Sequence, residues 1–424
     1  MSLPLFVTLG ILFLIGVPIA VSLGLAGVIG LEFFSNLPLL LVAQRMFVGI
    51  DSFPLMAIPF FILAGNLMSA GGISARLVEL AKSIIGGIQG GLACTCVLTC
   101  MIFASVSGSS VATTFAIGAI LIPAMVRHGY PRPTAAAIQA TSAELGVLIP
   151  PSIPLILFGV ATETSIGQLF IAGIGPGLLV GLSLIIFLAI WCRVRGYGLR
   201  DGEDRMDVWP ALKRAALALL MPLVVIGGIY GGVFTPTEAS AVAVFYALAV
   251  GLIFYRELKL GDLPSILRQT MLSTSVIMFI IAAAALFSFI LTRAGIPAAI
   301  GAFAADVFTN KWMFLLAVNV LLLMVGMFIE TSAAILVLAP ILTPIAMSFG
   351  VDPVHFGVIV VVNLALGMCT PPLGVNLFAA CAVARISLDR IVPALLPFIL
   401  VIFGCLMAIT YLPFISIGLR DLLY

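Results

Sequence analysis

AELGVLIPPSIPLILFG, residues 143–159, is apolar enough for a membrane span yet carries Glu144, Gly146, the pair Pro150–Pro151 and Ser152. Proline inside a helix removes a hydrogen bond and collides with the preceding turn, at a cost of roughly 3 kcal/mol. Lipid offers the freed carbonyls no water, so such a break survives at membrane depth only where it is buried in protein or lines a water-filled cavity. The stretch therefore predicts a broken transmembrane helix, provided that the chain around it is a membrane protein.

Composition meets that condition. Hydrophobic residues make up 63% of the 424 and charged residues 8%, with a mean hydropathy of +1.32; a soluble domain carries roughly 25% charged residues. Apolar segments lie at about 3–31, 54–70, 84–126, 134–163, 167–191, 214–234, 236–255, 271–292, 312–349, 354–384 and 391–414. Many reach the ~20 residues that a helix needs to cross a bilayer. The chain thus reads as an all-α polytopic membrane protein. Its start lacks a basic region and a small-residue cleavage site, so segment 3–31 is expected to be a retained first span.

Several function classes drop out. A net charge of +2 without basic, aromatic-interleaved clusters gives no footing for nucleic acid. No GxxxxGK[ST] loop exists to bind ATP, and no HExxH to bind zinc. Cys94, Cys96 and Cys100 have no histidine nearby and read as small apolar packing residues. The SGSS at 107–110 offers a serine, but His128 and His355 fall in interhelical loops, out of reach of a base at membrane depth. No catalytic residue is assigned.

Two segments, 84–126 and 312–349, are too long for one span and each holds a polar break: SVSGSS (Ser105–Ser110) and IETS (Ile329–Ser332). Each reads as a re-entrant helical hairpin, although two full spans joined by a tight turn have the same length. A repeat favours the hairpins. At a spacing of 221 residues Pro123 pairs with Pro344, Gly129 with Gly350, Gly146 with Gly367, Pro150–Pro151 with Pro371–Pro372, and Pro176 with Pro397. Each half then carries a hairpin, a span broken by a proline pair and a further span.

Charge orients the halves. Arg127 and Arg132 follow the first hairpin, whereas the matching loop after the second holds Asp352 and neither Lys nor Arg; the next turns reverse this, with Arg385 and Arg390 in the second half only. By the positive-inside rule the halves face opposite ways. If 3–31, 54–70, 134–163 and 167–191 are four crossings, the basic segment after 191 is cytoplasmic and span 214–234 inverts the second half. The predicted organisation is a first inverted repeat at 1–191, a cytoplasmic loop and linking span at 192–234, and a second repeat at 235–424. Residues 195–207 read as a solvated loop. Two amphipathic stretches, 37–50 and 256–270, read either as helices lying in the membrane interface or as ordinary loops.

Inverted-repeat transporters use broken helices to bind cations on freed carbonyls and anions at half-helix N-termini. Na⁺ is a hard cation and suits oxygen ligands. Two pseudo-symmetric Na⁺ sites are therefore expected. One draws on Ser105, Gly108, Ser109, Gly146 and Pro150; the other draws on Glu330, Thr331, Ser332, Gly367 and Thr370. Substrate is expected between the tips, against Ser107, Ser109, Ser110, Thr113, Ser152, Thr331, Thr370 and Asn376. A lone serine or threonine in a span otherwise bonds back to its own helix. Glu330 reads as ion ligand or cap, and Glu144 as ligand, cap or partner. Glu238 reads as a capping carboxylate for a helix starting near Pro236, and Asn319 and Asn363 as interhelical glue.

FASVSGSSVATT, AELGVLIPPSIP, YGGVFTPTEASA, APILTPIA and GMCTPPLGVNLF, in this order along nearly the whole chain, resemble the large membrane subunit of tripartite ATP-independent periplasmic (TRAP) transporters. The resemblance implies an inner-membrane permease of the elevator type, driven by Na⁺ and carrying an organic acid such as a C4-dicarboxylate or sialic acid. It also implies two partners, a small four-helix membrane subunit and a soluble periplasmic binding protein, with membrane lipid around them. A chain of this length resembles the unfused large subunit. Two rival readings keep the same ion sites: an autonomous sodium–carboxylate symporter, and a passive channel.

Overall fold

Gly108 is where the first long segment turns back. In the computed structural model, which describes residues 2–34, 37–198 and 207–423, helix Gly91–Ser107 ends on Gly108 in the left-handed region at φ 60°. Ser109 then extends and caps helix Ser110–Arg127 by accepting the Ala112 N–H at 3.4 Å. The second hairpin is built alike. Helices Lys311–Gly326 and Thr331–Ser348 flank a short break, and Glu330 caps the return limb by accepting the N–H groups of Ser332 and Ala333 at 2.9 and 3.3 Å. In each hairpin the two limbs pack on one another. The limbs have 16 to 18 residues. At 1.5 Å per residue such a limb rises roughly 25 Å, short of a ~30 Å hydrocarbon core. The first hairpin starts at Gly91 and not near 84, because 73–85 folds as a separate amphipathic helix, Ile73–Ile85.

Both proline pairs break their spans where expected. Helices Arg132–Ala143 and Leu145–Leu148 are followed by a break and then by Ile153–Thr162, with a 42° bend. Pro353–Met368 is separated from Val375–Ala384 by residues 369–374. The halves interlock crosswise. Ile153–Thr162 packs on the second hairpin's return limb, and Val375–Ala384 packs on the first hairpin's. Further out, Ala57–Ala70 packs on Pro236–Ala249 while Ile19–Phe34 packs on the long helix Leu263–Arg293. Shifting either member of these two exchanges by 221 residues lands on the other.

The outer helices correct two expectations. Segment 3–31 is two helices, Ser2–Leu14 and Ile19–Phe34, packed on each other across a turn with Gly16 at φ 83° and Pro18. Neither helix alone is long enough for a full span, and the crosswise contacts follow the 221-residue spacing. Stretch 256–270 is not a separate interfacial element, since from Leu263 it runs straight into the 31-residue helix Leu263–Arg293. Its counterpart 37–50 does form its own helix, Leu40–Ile50, which buries no side chain and lies on Leu263–Arg293. Two further helices, Ile296–Val307 and Phe414–Leu423, lie outside the expected elements.

Other expectations hold. Thr235 and Glu238 form a capping box at Pro236, and Asn363 donates to Asn319 Oδ1 at 2.8 Å while Asn319 donates to Thr410 at 3.0 Å. Of the 195–207 loop, residues 199–206 lie outside the described residues. Among the described residues all is helix and loop with no strand, and eight helices are long and apolar enough to cross a membrane, or nine if the bent pair is one span.

Candidate functional site

The two hairpin tips meet. A cavity of about 60 Å³ is lined by Gly108, Ser109 and Ser110 of the first tip and by Glu330, Thr331 and Ser332 of the second. Val111 of the first hairpin, Val147, Ile153 and Pro154 of the first broken span, Met368 of the second and Ile277 of Leu263–Arg293 complete its wall, and among the described residues no Lys, Arg or His lines it. Two helices begin here, Ser110–Arg127 and Thr331–Ser348. Their N-terminal N–H groups bring positive partial charge to the cavity, offset at the second tip by the Glu330 carboxylate that caps the helix.

Each tip is docked on a proline break. Ile153 N–H donates to Gly108 C=O at 3.3 Å, and Gly374 N–H donates to Met327 C=O at 3.1 Å. Ile153 and Gly374 are repeat mates, so the two halves use one device. Glycine makes the approach possible. A Cβ on Gly146 would stand 2.7 Å from Thr113 Oγ1 and 2.9 Å from Ser109 O, and one on its mate Gly367 would stand 2.6 Å from the Gly326 backbone. The first crossing thereby crowds a hydroxyl and a backbone oxygen together, and the second brings Gly326 O to 3.1 Å from the Gly367 Cβ position.

Several predicted hydroxyls are occupied by their own chain. Ser105 donates to Ile102 O at 2.6 Å, Ser152 to Val147 O at 2.5 Å and Thr370 to Leu366 O at 2.7 Å. None of these three lines the cavity, nor does Pro150. Ser107 and Thr113 share a 2.9 Å bond, and Thr113 also donates to Ser109 O at 2.8 Å, so they brace the first tip. Thr331 lies against Met368 Sδ at 2.7 Å. Glu330 is both cap and wall: Oε1 takes the Ser332 hydroxyl at 2.8 Å while Oε2 takes the two backbone N–H groups. A carboxylate accepts about four bonds, which leaves Glu330 capacity towards the cavity.

Asn376 is fully buried and does not reach the cavity. Its amide donates to Glu144 Oε1 at 2.7 Å and to Ala140 O at 2.9 Å, and accepts the Thr114 hydroxyl at 2.6 Å. Sequence reasoning missed Thr114, Cys369, Met368 and Ile277. Nothing in their local pattern distinguishes them from packing residues; only the crossing of the halves assembles them. Cys96 and Cys100 bond Gln139, and among the described residues no three His, Cys, Asp or Glu side chains gather in a metal-holding group. His355 lies in the first turn of Pro353–Met368, not in a loop; its Nδ1 is 2.6 Å from Ser416 Oγ.

Residues 6–415 match the family described as tripartite ATP-independent periplasmic transporter, DctM component. The chain belongs to that family. It is 41% identical to the C4-dicarboxylate TRAP transporter large permease protein DctM of Rhodobacter capsulatus, over 100% of this chain and 99% of that one. It is 44% identical to the Pseudomonas aeruginosa protein of that name, over 94% of both chains. The sialic acid TRAP transporter large permease protein SiaM of Vibrio cholerae is 37% identical, over 99% and 98%. The solved structure of the YdaH transporter of Alcanivorax borkumensis matches with a TM-score of 0.68 over 98% of both chains at 17% identity, which shows a shared fold. This TRAP large permease subunit is thus a multi-pass inner-membrane protein whose hairpins and broken spans meet at a cavity of mixed polar and apolar lining.

Proposed function

We propose that this subunit couples an inward Na⁺ gradient to uptake of an organic acid, with the acid held between the hairpin tips. The observation that carries the reading is the cavity itself. Serine, threonine and glutamate oxygens and two helix N-termini meet there against an apolar wall of Val111, Val147, Ile153, Pro154, Ile277 and Met368, with no basic side chain among the described residues that line it. An anion there draws on N–H groups and on co-bound cations, and the oxygens at the Gly146 and Gly367 crossings suit Na⁺. Ser109, Gly108 and Gly146 serve one ion, and Glu330, Thr331, Ser332 and Gly367 the other. The names of the relatives point to C4-dicarboxylates or sialic acids.

In this reading 1–191 and 235–424 are inverted repeats around the 192–234 connector. Hairpins and broken spans move as one body past the outer helices, as in an elevator. The subunit is a carrier and not an enzyme. It works with a small four-helix membrane subunit and a soluble periplasmic binding protein; a relative named isethionate TRAP transporter permease protein DctMQ, from Oleidesulfovibrio alaskensis, is longer, this chain matching 65% of it at 44% identity.

Uptake of radiolabelled organic acids into proteoliposomes tests the reading. This chain is assayed alone, then with the small subunit, then with the binding protein added. Accumulation only in the full mixture, abolished when the Na⁺ gradient is collapsed, is the expected result. Accumulation by this chain alone would make it an autonomous symporter, and equilibration without accumulation would make it a channel.

A further inference from the structure

One buried polar cluster bridges the two halves outside the cavity. Glu144 Oε1 accepts Asn376 Nδ2–H at 2.7 Å and the Cys369 thiol at 3.1 Å; Cys369 also reaches Ala140 O at 3.2 Å, and Thr114 donates to Asn376 Oδ1 at 2.6 Å. Glu144 is 1% exposed, and Asn376, Cys369 and Thr114 are 0% exposed. Each member abuts a different part of the machinery. Glu144 lies two residues before Gly146, and Cys369 lies between Gly367 and Thr370. Thr114 follows Thr113, which holds the first tip through Ser109 O at 2.8 Å.

The cluster is not a duplicate of the ion sites. At the 221-residue spacing the mates of Glu144, Asn376, Thr114 and Cys369 are Ala365, Leu155, Ile335 and Leu148, all apolar. The repeat does not duplicate this polar link. Glu144 Oε2 is buried without a hydrogen-bond partner among the described residues, so the link is held through Oε1, where each lost bond strands a desolvated group. A displacement of the first broken span is therefore passed to the second break.

We propose that Glu144, Asn376 and Thr114 are positioning residues that couple the two pseudo-symmetric ion sites, so that filling one prepares the other. The proposal rests on the Na⁺-coupled reading above, and its chemistry is the hydrogen bond at Glu144 Oε1, not the carboxylate's charge. Glu144→Gln keeps an acceptor oxygen, whereas Glu144→Leu does not. Thr114→Val removes one hydroxyl at nearly constant shape.

The test is Na⁺ activation of uptake by the complete reconstituted system, with correctly folded protein first confirmed by gel filtration in detergent. Wild type is expected to show a Hill coefficient near 2, the limit for two sites being about 2. Thr114→Val and Glu144→Leu are expected to bring it towards 1 and to raise the half-activating Na⁺ concentration about fivefold or more. Glu144→Gln is expected to keep the wild-type curve. A wild-type coefficient in both Thr114→Val and Glu144→Leu overturns the coupling. So does Glu144→Gln behaving like Glu144→Leu, since the charge and not the bond would then matter. A wild type indifferent to Na⁺ would remove the Na⁺-coupled reading and this proposal with it, whereas a cooperative wild type with unaltered variants removes this proposal alone.

Discussion

A methyl group at position 367 would land 2.6 Å from the backbone of Gly326. Nothing there is a flexible side-chain end that could swing aside, so Gly367→Ala forces the second hairpin off its broken span. Overpacking of this kind costs typically 1–3 kcal/mol. Uptake by Gly367→Ala is expected to be lost or severely reduced, while Gly10→Ala, with nothing within 4 Å of its Cβ position, transports as wild type. At the tips, Ser109→Ala and Glu330→Gln are expected to lower the apparent Na⁺ affinity with expression intact, measured as a right shift of Na⁺-dependent uptake. An unshifted curve in both would take these residues out of the ion sites. The glycines and the tip residues were legible in the sequence because breaks in apolar runs stand out. The fate of Ser152, Thr370 and Asn376 was not, because a hydroxyl or amide in a span gives no sign of whether its partner is its own helix, another helix or a ligand.

At the scale of elements, the hairpins and broken spans form one packed body, and Ile277 of Leu263–Arg293 is the outer helix residue that faces both tips. If that body moves past the outer helices, tying it to Ile277 stops it. Ile277→Cys paired with Val111→Cys, which lines the same cavity but is assigned to no ion or substrate, bridged by a short reducible bifunctional thiol crosslinker, is expected to abolish uptake, and cleaving the bridge is expected to restore it. The seven native cysteines are all buried and free, so background crosslinking is low. Full activity in the crosslinked protein would count against an elevator. Element boundaries are legible where a polar break interrupts a long apolar run. They are poorly legible at 3–31, where Gly16 and Pro18 turn the chain without any polar interruption, and at 256–270, where polar residues simply continue a helix past the apolar core.

For the molecule as a whole, the C-terminal helix Phe414–Leu423 ties the first half to the second. It packs on Ile166–Arg195, and its Arg420 Nη1 donates to both Asp352 oxygens at 2.9 and 2.8 Å. Asp352 also caps Pro353–Met368 through the N–H groups of Val354 and His355. Burial alone would raise the Asp352 carboxyl, but the Arg420 bond and charge and the two N–H groups together hold it below the usual carboxylate range. A depressed carboxyl stabilises the fold above its unfolded value of about 3.9, and the stabilisation is lost as pH falls through the lower folded value. Arg420→Ala is expected to cost about 1 kcal/mol, the pair being partly exposed. Thermal unfolding in detergent should show that loss at neutral pH, and it should shrink as the medium is acidified below about pH 4. A loss that stayed constant with pH would assign the effect to packing of the arginine stem.

By itself the sequence determined that this chain is a membrane protein with two long apolar segments interrupted by polar breaks and two proline-broken spans, spaced as a repeat. Hydrophobic run length, Gly–Pro punctuation and a fixed 221-residue spacing are properties of the chain taken locally or against itself. Only the tertiary structure decided that the two tips share one cavity, and that each proline break receives a hairpin tip. It alone brought Glu144, Cys369, Asn376 and Thr114 into one cluster. Those outcomes depend on which helix faces lie against each other once the halves interlock. Side chains more than two hundred residues apart carry no mark of that in the sequence between them.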